Sequence, residues 1–166
     1  MRQVVLFTTL ILITIQANAQ SKKNIRKFNI KMEVENIQEG NTNYKSEQTV
    51  FDANGNELEW IKYNKDGSIK KKRTSVYDKN GNLAEQQEFE NNQLVKKIVY
   101  AYNNFNEKIS EITYDGNGQI VKKEIYSYNN KGLKSEKKVY DKNNQLISVH
   151  TYQYYTSKNK SSAKDE

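Results

Sequence analysis

Residues 77–83, Tyr-Asp-Lys-Asn-Gly-Asn-Leu, are the clearest copy of a short unit that recurs through most of this chain of 166 residues. In each copy an aromatic residue ends one apolar run, a polar turn follows, and an aliphatic residue opens the next run. Asn-Gly between two such runs is a strong hairpin signal because both residues tolerate positive φ. The carboxylate of Asp78 can also accept a hydrogen bond from the backbone two residues later. The unit therefore predicts a β-hairpin.

The spacing of the aromatic residues sets the period of the repeat. They stand at positions 51, 63, 77, 89, 102, 114, 128 and 140, so that alternate ones are 25 or 26 residues apart. Each period holds a long and a short strand rich in Tyr, Val, Ile and Thr, joined antiparallel by short turns. The sequence thus predicts an all-β fold, an antiparallel meander of about ten strands from repeated hairpins, arranged as a single curled sheet or an open barrel.

The turn glycines make separate predictions. We expect Gly81 to have a positive φ, and the substitution Gly81→Val to destabilise the fold by roughly 1 kcal/mol or more through backbone strain. Gly116→Ala is expected to cost less, because Gly118 already supplies the Asn-Gly step of its turn.

The first residues predict export. A short basic start, an apolar run over 4–15 and small residues at 17–19 match a signal peptide over residues 1–19, cleaved between Ala19 and Gln20. The expected location is the periplasm or the exterior of a bacterium, with no transmembrane segment in the mature chain.

The remaining residues are expected to form one domain. We predict a flexible lead-in over 20–27, a repeated β-hairpin domain over 28–155 and a disordered tail over 156–166. The chain has 12 tyrosines and few aliphatic residues, so tyrosine rings are expected to serve as core material. The absence of cysteine excludes a disulfide scaffold, a thiol nucleophile and a cysteine-ligated zinc.

The motif Tyr-x-Tyr-[Asp/Asn]-x-x-Gly-x-Leu is best matched at residues 77–83, 114–120 and 126–133. Over roughly residues 49–155 the chain resembles the YD-repeat (Rhs-repeat) family. The resemblance implies a continuous antiparallel strip of hairpins, which in that family winds into a shell around a toxin or other cargo, or serves as a large extracellular scaffold. With about four double repeats, this chain would be a short, exported member, too small to close a shell.

The sequence contains no recognisable catalytic or metal-binding constellation. The one histidine, His150, lies in a predicted strand without a partner in a known motif. Asp-x-Asn-x-Asn at 52–56 and 78–82 echoes a calcium loop, but glycine falls at the fourth position instead of the sixth. We therefore expect no enzymatic activity, no catalytic residue, no metal and no cofactor.

Lysines and tyrosines recur together at the period of the repeat. The residues concerned are Lys96, Lys97, Lys122 and Lys123, with Tyr100, Tyr126 and Tyr152. Residues two apart share a face of a strand, so the tyrosines could form a row of rings beside the lysines. Such a basic, aromatic surface suits an acidic polymer, and these residues are the predicted polyanion-binding site.

The alternative is a charge mosaic that serves only the sheet. It follows if each aromatic residue pairs with the leucine or isoleucine across its turn. The expected opposite pairs are then Lys72 with Glu88, Lys123 with Glu111, Glu124 with Lys137, and Glu136 with His150. Opposite charges directly across strands stabilise a sheet modestly, which would account for the lysines without a ligand.

These features favour an exported, non-enzymatic repeat protein that acts as a binding or scaffold module. Its expected partner is an unknown protein or an acidic polysaccharide, without specific recognition of nucleic acid, and the chain is expected to be a monomer. Two alternatives stay open. One is a pocket-containing barrel that binds a small ligand or acidic glycan, and the other is an immunity or antitoxin-like partner of a secreted effector.

Overall fold

The computed structural model describes residues 18–156, with side-chain environments from residue 22 onward. Most of the predicted signal peptide (1–19) and of the predicted tail (156–166) therefore lies outside the described residues. Within them the chain forms one helix, α1 over Asn18–Lys27, and ten strands. The strands are β1 Met32–Glu39, β2 Thr42–Phe51, β3 Glu57–Tyr63, β4 Ile69–Tyr77, β5 Leu83–Glu90, β6 Gln93–Tyr102, β7 Lys108–Asp115, β8 Ile120–Tyr128, β9 Lys134–Asp141 and β10 Leu146–Thr151.

The strands form a single sheet in the order of the sequence. Every neighbouring pair is antiparallel, so the predicted all-β meander of ten strands is confirmed. The sheet is open and uncurled, and β1 and β10 lie at opposite edges instead of pairing to close it. Buried apolar side chains lie on both faces, so closing the sheet around one face would leave those of the other outside the core.

Six of the turns are built alike. In the turn after β4, Gly81 N–H donates to the carbonyl of Asp78 at 3.0 Å, and Asp78 N–H donates to the carbonyl of Asn82 at 2.9 Å. The Asp78 carboxylate accepts the N–H groups of Asn80 and Asn82, both at 2.9 Å, as predicted for the start of the turn. Hydrogen bonds from the Asn82 and Asn80 backbone lower the pKa of Asp78. The same double acceptance recurs at Asp52, Asn103, Asp115, Asn129 and Asp141.

Only one residue in each of these turns adopts a left-handed conformation. Gly81 has a φ of 82°, as predicted, whereas Asn80 has a negative φ. The turn is therefore longer than a tight Asn-Gly turn, which would need positive φ at both residues. Asn106 and Asn144 take the glycine position in two other turns, with φ of 61° and 59°.

The substitution Gly81→Val is expected to lower the free energy of unfolding by roughly 1 kcal/mol or more, because a β-branched side chain disfavours positive φ. A Cβ at this position would meet no atom within 4 Å, so backbone strain is the whole effect. Urea unfolding followed by circular dichroism measures it. Gly81→Asn is the matched control, since asparagine tolerates positive φ, and a loss as large as that of Gly81→Val would contradict the turn assignment.

A β-bulge accompanies the turns and shifts the register by one residue. Tyr77 pairs with Leu83 as predicted, but Val76 pairs with Glu85, so Ala84 is the extra residue. The predicted residues are for this reason not directly opposite each other, although Glu124 still contacts Lys137 as a diagonal neighbour, at 3.7 Å. Arg73 instead of Lys72 lies opposite Glu88, and the actual partners of the other predicted residues are Lys123 with Ile112, Glu124 with Val139 and His150 with Lys137.

The predicted flexible lead-in is wrong, because residues 18–27 form helix α1. Ile25 is buried at 4% exposure, and the helix packs against Gly55 and Asn56 in the turn between β2 and β3. A Cβ on Gly55 would lie 2.9 Å from the carbonyl oxygen of Lys22, so glycine is required for this close approach. Among the described residues, no helix is long and apolar enough to cross a membrane.

The hydrophobic core is thin. Its buried apolar side chains are Ile25, Ile61, Ile98, Tyr126 and Val139. Ile61 lies on one face of the sheet, whereas Ile98, Tyr126 and Val139 lie on the other. A single layer buries little apolar surface, so its stability depends on the repeated polar contacts of turns and side chains.

Candidate binding surfaces

The strand register divides the side chains between two faces, because residues paired across strands point the same way. One face carries Tyr77, Tyr102 and Tyr128 and is called the tyrosine face here. The other, called the opposite face, carries Phe89, Tyr114 and Tyr140. Both sets of aromatic residues belong to the repeat, but they serve different contacts.

On the tyrosine face, the tyrosine at the end of β4, β6 and β8, and Tyr154 three residues beyond β10, is called a clamp here. Its hydroxyl donates to the backbone carbonyl at the start of the preceding short strand. The pairs are Tyr77 to Glu57 (3.1 Å), Tyr102 to Leu83 (3.0 Å), Tyr128 to Lys108 (2.8 Å) and Tyr154 to Lys134 (2.8 Å). These hydroxyls are thus engaged within the protein, and their repetition explains why a tyrosine recurs at this position.

The three tyrosines of the predicted polyanion site form the expected row on the tyrosine face, but lysines lie between their rings. Lys108 Nζ lies 5.3 Å from the ring centroid of Tyr100 and 4.8 Å from that of Tyr126. Lys134 Nζ lies 4.6 Å from the Tyr126 ring and 5.6 Å from the Tyr152 ring. Such cation–π contacts occupy the ring faces that a sugar or base would need.

Tyr126 is the buried centre of this row, with 7% of its surface exposed. Its hydroxyl donates to Glu124 Oε2 at 2.5 Å. Burial and this bond raise the pKa of Tyr126, so the hydroxyl keeps its proton. Burial also acts to raise the pKa of Glu124, but hydrogen bonds from Tyr126 and Lys122 and the nearby lysine charges outweigh it, and the net shift is downward. Burial, followed by the charge of Glu111, raises the pKa of Tyr100 to about 12.

The four predicted lysines do not share one surface. Lys96 and Lys122 lie on the tyrosine face, whereas Lys97 and Lys123 lie on the opposite face. Three of them contact a carboxylate, in the pairs Lys96 with Glu88 at 2.9 Å, Lys122 with Glu124 at 3.1 Å and Lys97 with Glu85 at 3.9 Å. Lys123 instead donates to Asn144 Oδ1 at 3.2 Å. The geometry therefore favours a charge mosaic, in which Lys123 contacts Asn144 instead of the predicted Glu111.

A row of lysine–aromatic pairs runs across the opposite face. Its members are Lys45 with Tyr63 (4.0 Å), Lys72 with Phe89 (5.2 Å), Lys97 with Tyr114 (5.2 Å) and Lys123 with Tyr140 (5.3 Å), measured from Nζ to the ring centroid. In each pair the lysine comes from a long strand and the ring from the next short strand. This regularity explains the recurrence of lysine at the period of the repeat, since each cation packs over one ring.

Helix α1 carries a cluster of basic residues, in a segment that was predicted from the sequence to be a flexible lead-in. Lys22, Lys23, Arg26 and Lys27 are exposed, and none contacts a carboxylate within the described residues. Lys22 Nζ donates to Asn56 Oδ1 at 2.6 Å, and Lys27 Nζ lies 5.1 Å from the Phe28 ring centroid. The run Lys-Lys-Asn-Ile-Arg-Lys was visible in the sequence, but only the helix makes it a compact cationic surface.

A groove of about 270 Å³ lies between α1 and the tyrosine face, lined by Ile25, Phe51 and Tyr77 among others. Its polar groups contact each other. Arg73 donates through Nε and Nη2 to Glu57 Oε1, at 3.0 and 2.7 Å. Because these charges are already paired, the groove offers a ligand little unsatisfied polarity.

His150 lies on β10 at the edge of the sheet. Its Nε2 is 3.1 Å from Ser148 Oγ, and Lys137 is the residue opposite it. A serine–histidine pair needs a third group to orient the imidazole, and a lysine ammonium cannot accept its N–H. Across residues 18–156, no group of three His, Asp or Glu side chains is arranged to hold a metal ion.

The sequence matches no protein-family model and no curated protein. Among solved structures, the chain is similar to TarM at 21% identity, covering 79% of this chain and 24% of TarM, with a TM-score of 0.33. It is similar to TcdB2-TccC3-TEV at 16% identity, covering 69% of this chain and 7% of that one, with a TM-score of 0.35. A protein of unknown function from Bacteroides fragilis matches at 18% identity, 76% and 96% coverage and a TM-score of 0.29. The chain thus spans about a quarter or less of the first two, and similarity at this level identifies no family.

Proposed function

We propose that this protein is an exported, non-enzymatic binding module whose repeated sheet is a scaffold and whose ligand is an acidic polysaccharide. The observation that carries the proposal is a contrast between two sets of cations. The basic cluster on α1 has no carboxylate partners in the described residues, whereas Lys96, Lys97 and Lys122 of the sheet each contact a carboxylate. Unpaired surface cations raise the local concentration of an anionic polymer and bind it in a salt-sensitive way.

The sheet supports the scaffold part of the proposal. Its ion pairs, tyrosine clamps and lysine–aromatic pairs repeat from hairpin to hairpin, so they distribute contacts evenly instead of converging on one reactive centre. Export is inferred from the N-terminal residues. Cleavage between Ala19 and Gln20 would remove the first two residues of α1 and keep Lys22, Lys23, Arg26 and Lys27 on the mature chain.

Substituting the helix cations is expected to weaken binding to heparin, a sulfated polysaccharide, at low salt. The double variant Lys23→Ala/Lys27→Ala removes two charges that make no hydrogen bond to the sheet, so the fold is retained. Titration calorimetry should show a loss of affinity of about fivefold or more, and high salt should abolish the binding of the unaltered protein.

The matched control is Lys96→Ala/Lys122→Ala, which removes the same charge from the predicted ladder. Its affinity for heparin should stay close to that of the unaltered protein, because Glu88 and Glu124 already neutralise those lysines. If the control lost more affinity for heparin than the helix variant, the binding site would lie on the tyrosine face instead of on α1. No heparin binding by the unaltered protein at low salt would refute the polysaccharide, and tighter binding to single-stranded DNA would identify another ligand.

A further inference from the structure

The two edge strands of the sheet each have one free side. β1 pairs only with β2, and β10 only with β9, in the described part of the chain. Because ten strands alternate in direction, β1 and β10 run antiparallel to each other. If a second copy were placed beside the first in the same orientation, its β1 would lie antiparallel to the first copy's β10, continuing the meander.

The backbone groups that face away from the sheet can be identified on both edges. Phe51 N–H donates to the carbonyl of Lys31, and Tyr152 N–H donates to the carbonyl of Ser135. Since inward and outward groups alternate along an antiparallel strand, Met32 and Val34 on β1 direct their backbone groups outward. Val149 and Thr151 do the same on β10.

The side chains of the two edges also match face by face. On the opposite face, Val34 and Val149 are 42% and 45% exposed, so both have apolar surface that is not covered. On the tyrosine face, β1 carries Glu33 and Glu35, which form no ion pair within the described residues, whereas β10 carries Ser148 and His150 and no acid.

The lengths of the strands agree with this match. In the interior of the sheet, β4, β6 and β8 are each flanked on both sides by strands of 7 or 8 residues. By its place in the repeat, β10 corresponds to β4, β6 and β8, but it has a short strand beside it on one side only, namely β9. β1, with 8 residues, has the length of the missing neighbour.

We infer that copies of this chain associate edge to edge, β10 of one copy pairing with β1 of the next. Val34 then lies beside Val149, Glu33 beside His150 and Glu35 beside Ser148. The interface uses different surfaces on the two partners, so repeated association extends the sheet as an open row of copies. β10 has no lysine, proline or inward charge to discourage such pairing. This inference replaces the expected monomer and does not depend on the proposed polysaccharide binding, since neither edge belongs to α1.

The test is sedimentation velocity across a concentration series. The sample is the protein as isolated from the cells that produce it, and no glycan is added. The unaltered protein should form species at multiples of the monomer mass that grow with concentration. Val34→Pro and Val149→Pro each remove one outward N–H without breaking a bond to β2 or β9. Each variant alone should be monomeric, because a chain of copies needs both edges. Mixed in equal amounts, they should form a dimer and nothing larger, because only one intact β10 and one intact β1 meet.

Three results would overturn the inference. The first is an unaltered protein that stays monomeric throughout the concentration series. The second is a mixture of the two proline variants that does not dimerise. The third is dimerisation of Val34→Pro alone, which would indicate pairing of β10 with β10. Circular dichroism confirms that each variant keeps its strands. If a proline variant unfolds, Glu33→Arg replaces it. This change should weaken association a few-fold, and adding His150→Glu in the same chain should restore it. Heparin titration of the same variants tests the proposed function separately, because heparin binding depends on α1 and assembly depends on the two edge strands.

Discussion

Gly116→Ala is expected to lower the free energy of unfolding by at least about 2 kcal/mol, more than any other single methyl addition in the turns. A Cβ at this position would lie 2.2 Å from the carbonyl oxygen of Leu94 and 3.2 Å from its carbonyl carbon. Both atoms belong to the backbone of β6, so relief requires a shift of the strand itself. The expectation from sequence, that Gly116 is the tolerant glycine of its turn, is therefore reversed.

Gly118→Ala is the matched control, because it adds the same methyl group two residues away in the same turn. Gly118 has a φ of 79°, and a Cβ there would meet nothing within 4 Å. It should cost only about 1 kcal/mol of backbone strain. Urea unfolding of both variants, followed by circular dichroism, measures the difference. If Gly118→Ala proved as costly as Gly116→Ala, the close approach of Gly116 to Leu94 would not exist in solution.

Much of the fold follows from the repeat, for physical reasons that are local. The turn residues Asp78 and Gly81 act within their own turn, and the apolar runs are short enough to exclude helices, so strands and order are predictable. Register is harder, because it depends on where the extra residue of each bulge falls. Ala84 carries no feature that marks it as the bulged residue, and one such residue shifts every pair beyond it.

The candidate site was predictable in part. The row of Tyr100, Tyr126 and Tyr152 follows from their spacing. So does the separation of Lys96 from Lys97, because adjacent residues on a strand point to opposite faces. The lysines between the rings could not be found in this way. Lys108 and Lys134 lie at the starts of β7 and β9, and a turn and a bulge separate each from the strand before it, so spacing along the sequence does not indicate which rings they contact.

Helix α1 illustrates a different limit. Its sequence is polar and strongly basic, which by itself indicates a poor helix without a partner. The helix depends on a tertiary contact, in which Ile25 is buried beside Gly55 and the Lys22 carbonyl approaches that glycine. No short-range pattern connects residues so far apart. The run of basic residues could therefore be recognised in the sequence, but not that these residues lie on a helix packed against the sheet.

Tyr126→Ala is expected to lower the free energy of unfolding by about 3 kcal/mol or more, the cost of deleting a buried aromatic ring. The ring separates Lys108 from Lys134, so its loss would bring two cations together over a cavity. Tyr126→Phe keeps the ring and removes only the hydroxyl. It should cost about 1 kcal/mol, because Glu124 loses its bond from Tyr126 but keeps its contacts with Lys122 and Lys137.

The position of Tyr126 within the row explains why the effect should be specific to it. Tyr152 occupies the equivalent place one period later, but it is 38% exposed and contacts only Lys134 among the row's lysines. Tyr152→Ala should therefore cost less than half as much as Tyr126→Ala in the same unfolding experiment. Equal losses would mean that the tyrosines act as independent surface residues. Equal losses for Tyr126→Ala and Tyr126→Phe would mean that the hydroxyl, and not the ring, stabilises the centre of the sheet.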